Sequence, residues 1–308
     1  MLKRPFNKGI ASRQVGVAIA LVLLLSFLVA FLLRHEDANW LQSAYERKVQ
    51  KFHIIQTMSR DLLASAEAEK SAVMAETDEA SASFAEQSVQ ASQNVEKARR
   101  VLEPLLGENR QEAQLFREFS SCWEKLQEID REVLSLAVQN TNLKALRLSF
   151  VPAAEAMRRM EHACNWLMEV SSASPDAVHI TRLAAQAAMG ALNLYTLQAP
   201  HIAESTATRM DEMEAVMQRH AAQVTAALQS LHALVGEPGQ PFLAAAWAAY
   251  QDFQNIHAEI IELSRQNSNI RSAALSLGQK RKTIAQCQDV LATLQEKVQE
   301  SMAYKATR

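Results

Sequence analysis

Residues 123–149 read WEKLQEIDREVLSLAVQNTNLKALRLS, and residues 250–276 read YQDFQNIHAEIIELSRQNSNIRSAALS. The two stretches align without a gap, 127 positions apart, and each contains an Asn-Thr/Ser-Asn turn between two amphipathic halves. Self-similarity over such a distance is typical of a duplicated structural unit. The sequence therefore predicts two copies of one helical unit, with a sharp turn at the same place in each.

Apolar residues in this region recur in alternating steps of four and three, the spacing of one seam along an α-helix. One seam precedes the first turn and consists of Leu115, Phe119, Cys122, Leu126, Ile129, Val133 and Leu136. Another follows the second turn and consists of Ile284, Cys287, Leu291, Leu294 and Val298. Because only 7 Gly and 7 Pro interrupt the 308 residues, we predict an all-α fold without β-sheet.

The positions of the helix breaks predict how these helices are organised. Breaks fall at Leu106-Gly107-Glu108, Gln139–Asn142, Ser171–Asp176 and Gly236–Pro241, and Pro152 predicts a short interruption near Ser149–Pro152. We expect an N-terminal transmembrane helix followed by two up-down-up-down four-helix bundles, over residues 36–173 and 174–305. The linker-like composition of 171–176 favours side-by-side bundles, and the alternative is end-to-end stacking with one long helix shared between them.

The N-terminal region contains an uncharged apolar run at residues 15–33, preceded by basic residues in 1–14. At about 1.5 Å per residue, a helix of this length spans a hydrocarbon core of roughly 30 Å. The run is longer than a signal-peptide core of about 7–15 residues and is not followed by a pair of small residues, so we favour an uncleaved anchor over a cleaved leader. The positive-inside rule then predicts a single-pass protein of the bacterial inner membrane, with a cytoplasmic N-terminus and a periplasmic or extracellular bulk.

Charge and motif content exclude several function classes. The chain has 32 basic and 34 acidic residues; five of the basic ones lie before residue 35, so the exported part carries 27 − 34 = −7 and is a poor partner for nucleic acid. No Glu-x-x-His pair suits a di-iron bundle, and no nucleophile motif or phosphate-binding glycine loop occurs. We therefore expect no enzyme activity, catalytic residue, metal or cofactor.

The three cysteines, Cys122, Cys164 and Cys287, each lie on an apolar seam, where a free cysteine acts as a small hydrophobe. We therefore expect no disulfide framework. One pairing remains open: Cys122 and Cys164 lie 19 and 23 positions from Thr141, on either side of it, and could meet if their helices are antiparallel.

The third and fourth helices of each copy resemble the four-helix-bundle sensor domain of methyl-accepting chemotaxis proteins. The resemblance is carried by the acidic-apolar run at 132–137, the turn at 139–142 and their counterparts at 259–263 and 266–269. It implies a tandem, extracytoplasmic ligand sensor, often dimeric, that binds small molecules between helices. The second transmembrane helix and the cytoplasmic signalling region of chemoreceptors have no counterpart in the chain, so we expect output through a homodimer or a partner signalling protein.

Arginines between helices are the expected binders of a carboxylate ligand, because the planar guanidinium binds carboxylates in a bidentate manner. Arg60, Arg158, Arg159 and Arg182 lie at suitable helical positions, and the alternative is ordinary surface ion pairing. Aromatic side chains could line the pocket or fill the core; these are Trp123, Trp166, Trp247 and Tyr250. The sequence thus predicts a membrane-anchored sensory or ligand-binding module, and the alternative is a structural cell-envelope tether without a small ligand.

Overall fold

The computed structural model describes Ser26, Gln42, 45–107 and 109–306. Over these residues the chain is helical and contains no strand, which confirms the all-α prediction. None of the helices in the described ranges is long and apolar enough to cross a membrane. The expected transmembrane helix at 15–33 lies outside the described residues apart from Ser26, so it stays a prediction.

Residues 45–306, apart from the undescribed residue 108, contain eleven α-helices, which are numbered here in chain order. Their bounds are α1 45–73, α2 Asp78–Leu102, α3 Arg110–Ala137, α4 Thr141–Leu148, α5 Ala154–Val170, α6 Ala177–Thr196, α7 Gln198–Ala203, α8 Ala207–Leu234, α9 Gln240–Gln266, α10 Ser268–Leu275 and α11 Arg281–Ala306. A 3-10 turn at Glu103–Leu106 follows α2.

Two π-helical segments join short helices to long ones. Ser149–Ala153 lies between α4 and α5, and Ser276–Lys280 lies between α10 and α11, again 127 positions later. The interruption expected near Pro152 is therefore present. Because the second segment contains no proline, the missing proline N–H cannot be the common cause of the two π turns.

The chain forms two compact units. The first contains the described parts of Met1–Arg60, Asn94–Phe119 and Gln288–Arg308. Within it, Lys51 Nζ bonds Glu112 Oε2 at 2.7 Å, and Lys48 donates to the carbonyl of Ser301. Parts of α1, α3 and α11 therefore pack together in this unit.

The second unit contains Asp61–Gln93 and Ser120–Cys287. Within it, α5 packs against α6 and α9, and α6 packs against α8. These helices share one buried hydrophobic core, which includes Met160, Cys164, Leu194, Leu228 and Phe253. All of its buried members lie between residues 145 and 260.

The same unit shows where the segment after α10 packs. Lys280 forms an ion pair with Glu69 of α1, with Nζ and Oε2 2.8 Å apart, and another with Asp130 of α3. Cys287 of α11 is bonded to Cys122 of α3. Thus α4–α5, the fourth helix of the first copy, packs with the second copy, and α10–α11, the fourth helix of the second copy, packs with the first. We call this arrangement the helix exchange.

The helix exchange differs from the expected division at residues 173 and 174. The predicted unit 36–173 includes α4–α5, whose core partners lie at 177–266. After α3 the chain leaves the helices of the first copy, and after α9 it returns to them. Seam spacing could not reveal this, because an apolar seam can pack against any other seam of the same period.

The expectation of a free, buried cysteine holds for Cys164 but is wrong for Cys122 and Cys287, and the open pairing of Cys122 with Cys164 does not form. Cys122 and Cys287 form a disulfide with a Cα–Cα distance of 5.7 Å, and Cys164 is a buried free thiol. Burial raises the pKa of Cys164 to about 11. Cys122 lies 19 positions before Thr141, and Cys287 lies 19 positions after Ser268. Helix α3 leads into the first turn, and α10 and α11 lead away from the second, so these equal spacings place the two thiols at the same level.

Candidate functional site

The two duplicated turns, Asn140–Asn142 and Asn267–Asn269, lie against each other, and we call this contact the junction. Asn140 and Asn267 have φ values of 50° and 54°, and they are the non-glycine residues with positive φ in the described part of the chain. Asparagine tolerates this left-handed conformation better than most residues. Each Asn therefore reverses the local helical path so that a new helix begins at the next residue.

The junction caps two helix N-termini reciprocally. The backbone N–H groups of Thr141 and Asn142 donate to Ser268 Oγ and Asn269 Oδ1, both at 3.1 Å. The backbone N–H groups of Ser268 and Asn269 donate to Thr141 Oγ1 at 3.0 Å and Asn142 Oδ1 at 3.1 Å. The first N–H groups of a helix have no partner within that helix. Each copy of the turn therefore supplies the caps that the other copy needs.

The asparagine amides also attach the junction to its surroundings. Asn142 Nδ2 donates to the carbonyl of Ile202 and to Asn267 Oδ1, both at 2.8 Å. Asn140 Nδ2 donates to Asp78 Oδ1 at 3.0 Å, and this bond is the main reason that the pKa of Asp78 is lowered. The junction thus connects α4 and α10 to α2 and α7.

A buried histidine lies beside the junction on α7. His201 Nδ1 lies 2.8 Å from Ser264 Oγ, whose proton goes to the His201 carbonyl, so Nδ1 must donate. His201 Nε2 lies 2.9 Å from Glu214 Oε1. The hydrogen bond from Arg265 lowers the pKa of Glu214, so this oxygen is a carboxylate acceptor. Through its two ring nitrogens, His201 thus connects α7 to Ser264 of α9 and to Glu214 of α8.

A second polar group fills the core between α4, α7 and α9. Ser149 Oγ donates to Gln198 Oε1 at 2.8 Å, and Gln198 Nε2 lies 3.2 Å from His257 Nδ1. Burial lowers the pKa of His257 to about 4, and electrostatic interaction with the neighbouring His201 acts in the same direction. His257 is therefore neutral at pH 7 and accepts the amide proton.

A charged counterpart lies on the other side of the junction. The side chains of Glu69 and Lys280 are 0% and 1% exposed, and that of Asp130 is 9% exposed. Burial raises the pKa of Asp130, while the adjacent ammonium group opposes that shift. We call these three residues the Lys280 cluster. This cluster was not predicted from the sequence. An acid or a lysine next to a strong apolar seam could have indicated a buried ion pair.

An open groove of about 650 Å³ lies between α5 and α9, and we call it the α5–α9 groove. Its polar wall contains Glu155, Arg158, Arg159 and His162 of α5. Arg158 pairs with Glu155 one turn earlier, and Arg159 pairs with Asp252 of α9 at 2.9 Å. All four of these paired side chains are about half exposed or more, so the pairs are of the weak surface type.

The other end of the groove is aromatic. Trp166 is stacked on Phe242 of α9, with a centroid distance of 6.0 Å and an interplanar angle of 17°. Trp166 is 41% exposed, and its indole N–H donates to His162 Nε2 at 3.1 Å. His162 therefore carries its own proton on Nδ1 when neutral. Alanines form the remaining surface of the groove, so nothing bulky fills it.

The structure brings two of the four predicted arginines together. Arg158 and Arg159 line the α5–α9 groove, whereas Arg182 is an exposed residue of α6 and Arg60 is an exposed residue of α1 in the first unit. Surface ion pairing, the alternative considered for these residues, does occur at Arg158 and Arg159. Among the aromatic candidates, Trp166 lines the groove; Trp123 and Tyr250 are buried, and Trp247 packs against the core.

Within the described ranges, no group of three or more His, Cys, Asp or Glu side chains is placed to hold a metal ion. A comparison with protein-family models finds no match to this chain, and a comparison with curated proteins finds none either.

Proposed function

We propose that the chain is a membrane-anchored, extracytoplasmic sensory module that binds a small organic anion in the α5–α9 groove. The observation that carries the proposal is the presence of Arg158 and Arg159 in one open groove, together with a stacked aromatic pair whose tryptophan is exposed. A guanidinium is the preferred partner of a carboxylate, and exchanging a half-exposed carboxylate partner for a ligand costs little.

The wider architecture of the proposal is that of a chemoreceptor sensor domain in tandem. It consists of a transmembrane helix at 15–33 and two up-down four-helix bundles whose fourth helices are exchanged. The apolar run supports the anchor, and the internal duplication supports the paired bundles. Export would place the Cys122–Cys287 disulfide in an oxidising compartment, where such bonds persist.

The proposed mechanism is a small shift of α5 against α9 when the groove is occupied. Helix α5 follows α4 through the π segment 149–153, and α9 ends at Gln266 directly before Asn267, so both walls of the groove lead to the junction. Packed helices move between discrete arrangements rather than deforming continuously. A shift in the groove would therefore reach α10 and α11 through the reciprocal caps, and a second copy or a signalling partner would receive it.

The test is a thermal-shift screen of the full chain in detergent against amino acids, organic acids and amines at pH 7. Organic acids are expected to raise the melting temperature, because a ligand that binds only the folded state stabilises it. The double variant Arg158→Gln/Arg159→Gln should lose the shift, and the matched control Arg182→Gln should keep it.

Stabilisation by amines alone, or an equal effect of acids on the double variant, would contradict the groove as an anion site. No stabilisation by any class, together with specific capture of a cell-envelope protein, would favour the structural tether instead.

A further inference from the structure

We infer that the α5–α9 groove selects a carboxylate that carries an aryl group at a distance, an inference that rests on the proposed function. Arg159 and Trp166 are seven residues apart on α5, which is about 10 Å along the helix axis. The groove therefore offers a cationic end and an aromatic end that one extended ligand can reach together.

Each end recognises a different part of such a ligand. Arg158 and Arg159 bind the carboxylate, and His162 lies on the same wall with its Nε2 already bonded to Trp166. Trp166 stacks on the partly buried Phe242 and is itself 41% exposed, so its indole offers an aryl ring a surface for offset stacking. A short carboxylate such as acetate reaches only the cationic end and gains nothing from the aromatic pair.

A chain-length series on the full-length protein tests this inference. Benzoate, phenylacetate, 3-phenylpropionate, 4-phenylbutyrate and 6-phenylhexanoate are titrated by calorimetry at pH 7, with acetate and 4-phenylbutylamine as controls. We expect affinity to rise at least tenfold from benzoate to an optimum near 4-phenylbutyrate, and the amine not to bind. Trp166→Ala should remove the length dependence and leave acetate unchanged, whereas Trp166→Phe should retain it.

The possible outcomes separate this inference from the proposed function. If acetate and the aryl acids bind equally well, the inference is wrong and the anion site stands. If no acid binds at all, the proposed function fails as well.

A second and independent observation concerns the helix exchange. Lys280 belongs to the second copy, whereas its partners Glu69 and Asp130 belong to the first. At the 127-residue spacing, Asp130 corresponds to His257 and Lys280 corresponds to Ala153. Among the helices that pack with α5, the counterpart His257 belongs instead to an uncharged hydrogen-bonded set with Gln198 and Ser149.

We propose that the Lys280 cluster selects the exchanged pairing of the fourth helices. Without the exchange, Ala153 would face Glu69 and Asp130 and leave two buried acids unpaired, while Lys280 would face His257. Removing one partner from a buried ion pair is strongly unfavourable, whereas the apolar seams alone distinguish the two pairings poorly.

Disulfide competition measures which pairing forms. Met160 corresponds to Cys287 at the same spacing, so Met160→Cys in a Cys164→Ala background lets Cys122 choose between positions 160 and 287. We expect only the 122–287 link by peptide mapping. Moving the lysine with Lys280→Ala/Ala153→Lys should shift at least half of the links to 122–160.

A second variant tests the proposal if the lysine-exchange variant does not fold. Glu69→Gln/Asp130→His/Lys280→Ala, again with Met160→Cys and Cys164→Ala, removes the three buried charges, and it should fold with a mixture of both links. An exclusive 122–287 link in either variant would overturn the proposal.

Discussion

At the scale of single residues, the two left-handed asparagines determine the path of the chain. Asn140 and Asn267 adopt positive φ, and Asn140 also bonds Asp78 and accepts a hydrogen bond from Asn269. The conformation and the hydrogen bonds both favour asparagine over other residues. The repeated sequence QNTN/QNSN thus reflects a structural requirement at the contact between the two copies.

Replacing Asn140 by alanine should destabilise the protein by about 2–3 kcal/mol. A Cβ-bearing residue without a local hydrogen bond pays roughly 1 kcal/mol or more for the left-handed conformation, and each lost hydrogen bond adds about 1 kcal/mol. Asn140→Gly should lose only the hydrogen bonds and cost less. Urea unfolding compares both variants with Asn193→Ala on the exposed face of α6, and equal midpoints for all three would refute this role.

Protonation of His257 should destabilise the fold below neutral pH. Its pKa falls from 6.5 to about 4 on folding, so the unfolded chain binds the proton first and stability drops as the pH falls between these values. The full effect is about 3 kcal/mol, since one pKa unit corresponds to about 1.4 kcal/mol.

The corresponding test compares urea unfolding at pH 7 and pH 5. His257→Gln keeps an acceptor for Gln198 and should reduce the loss of stability between the two pH values, while the exposed control His179→Gln should not. A loss of the same size in His257→Gln would show that other groups cause it.

At the scale of helices, the close approach of α6 and α8 depends on one glycine. A Cβ at Gly190 would lie 2.8 Å from Val224 Cγ2, a distance that requires a neighbour to move. Alanine gains about 1 kcal/mol over glycine in helix propensity, but a core clash costs typically 1–3 kcal/mol.

Gly190→Ala should therefore lower the free energy of unfolding in the native background and raise it by about 1 kcal/mol in a Val224→Ala background. Gly278→Ala serves as the control, because a Cβ there has no heavy atom within 4 Å. Chemical denaturation of the four variants gives the coupling energy. Additive effects at Gly190 and Val224 would mean that α6 and α8 are not in close contact at this point.

The helices themselves were predictable, and their partners were not. Heptad spacing indicated α3 and α11, and the repeated turn indicated the duplication, because both are local patterns. The helix exchange depends on a buried charge cluster that joins residues 69, 130 and 280, which no local pattern connects. Arg158 and Arg159 could be named as candidates from their residue type and helical position. The stacking of Trp166 on Phe242 could not be predicted, because it depends on how α5 packs against α9.

At the scale of the whole molecule, the proposed export places both units outside the cytoplasm. Alkaline phosphatase fused after Arg308 should be active in a bacterial host, because that enzyme requires the oxidising periplasm. A β-galactosidase fusion at the same position should be inactive. The opposite pattern would remove the basis for an extracytoplasmic sensor, although the helical fold would be unaffected.

The helix exchange is the central feature of the molecule. It explains the reciprocal caps, the Lys280 cluster and the equal spacing of Cys122 and Cys287 from the junction. Non-reducing peptide mapping of the oxidised full-length protein tests it most directly. We expect a link between Cys122 and Cys287 with Cys164 as a free thiol. A link between Cys122 and Cys164 would place α5 beside α3 and contradict the exchange.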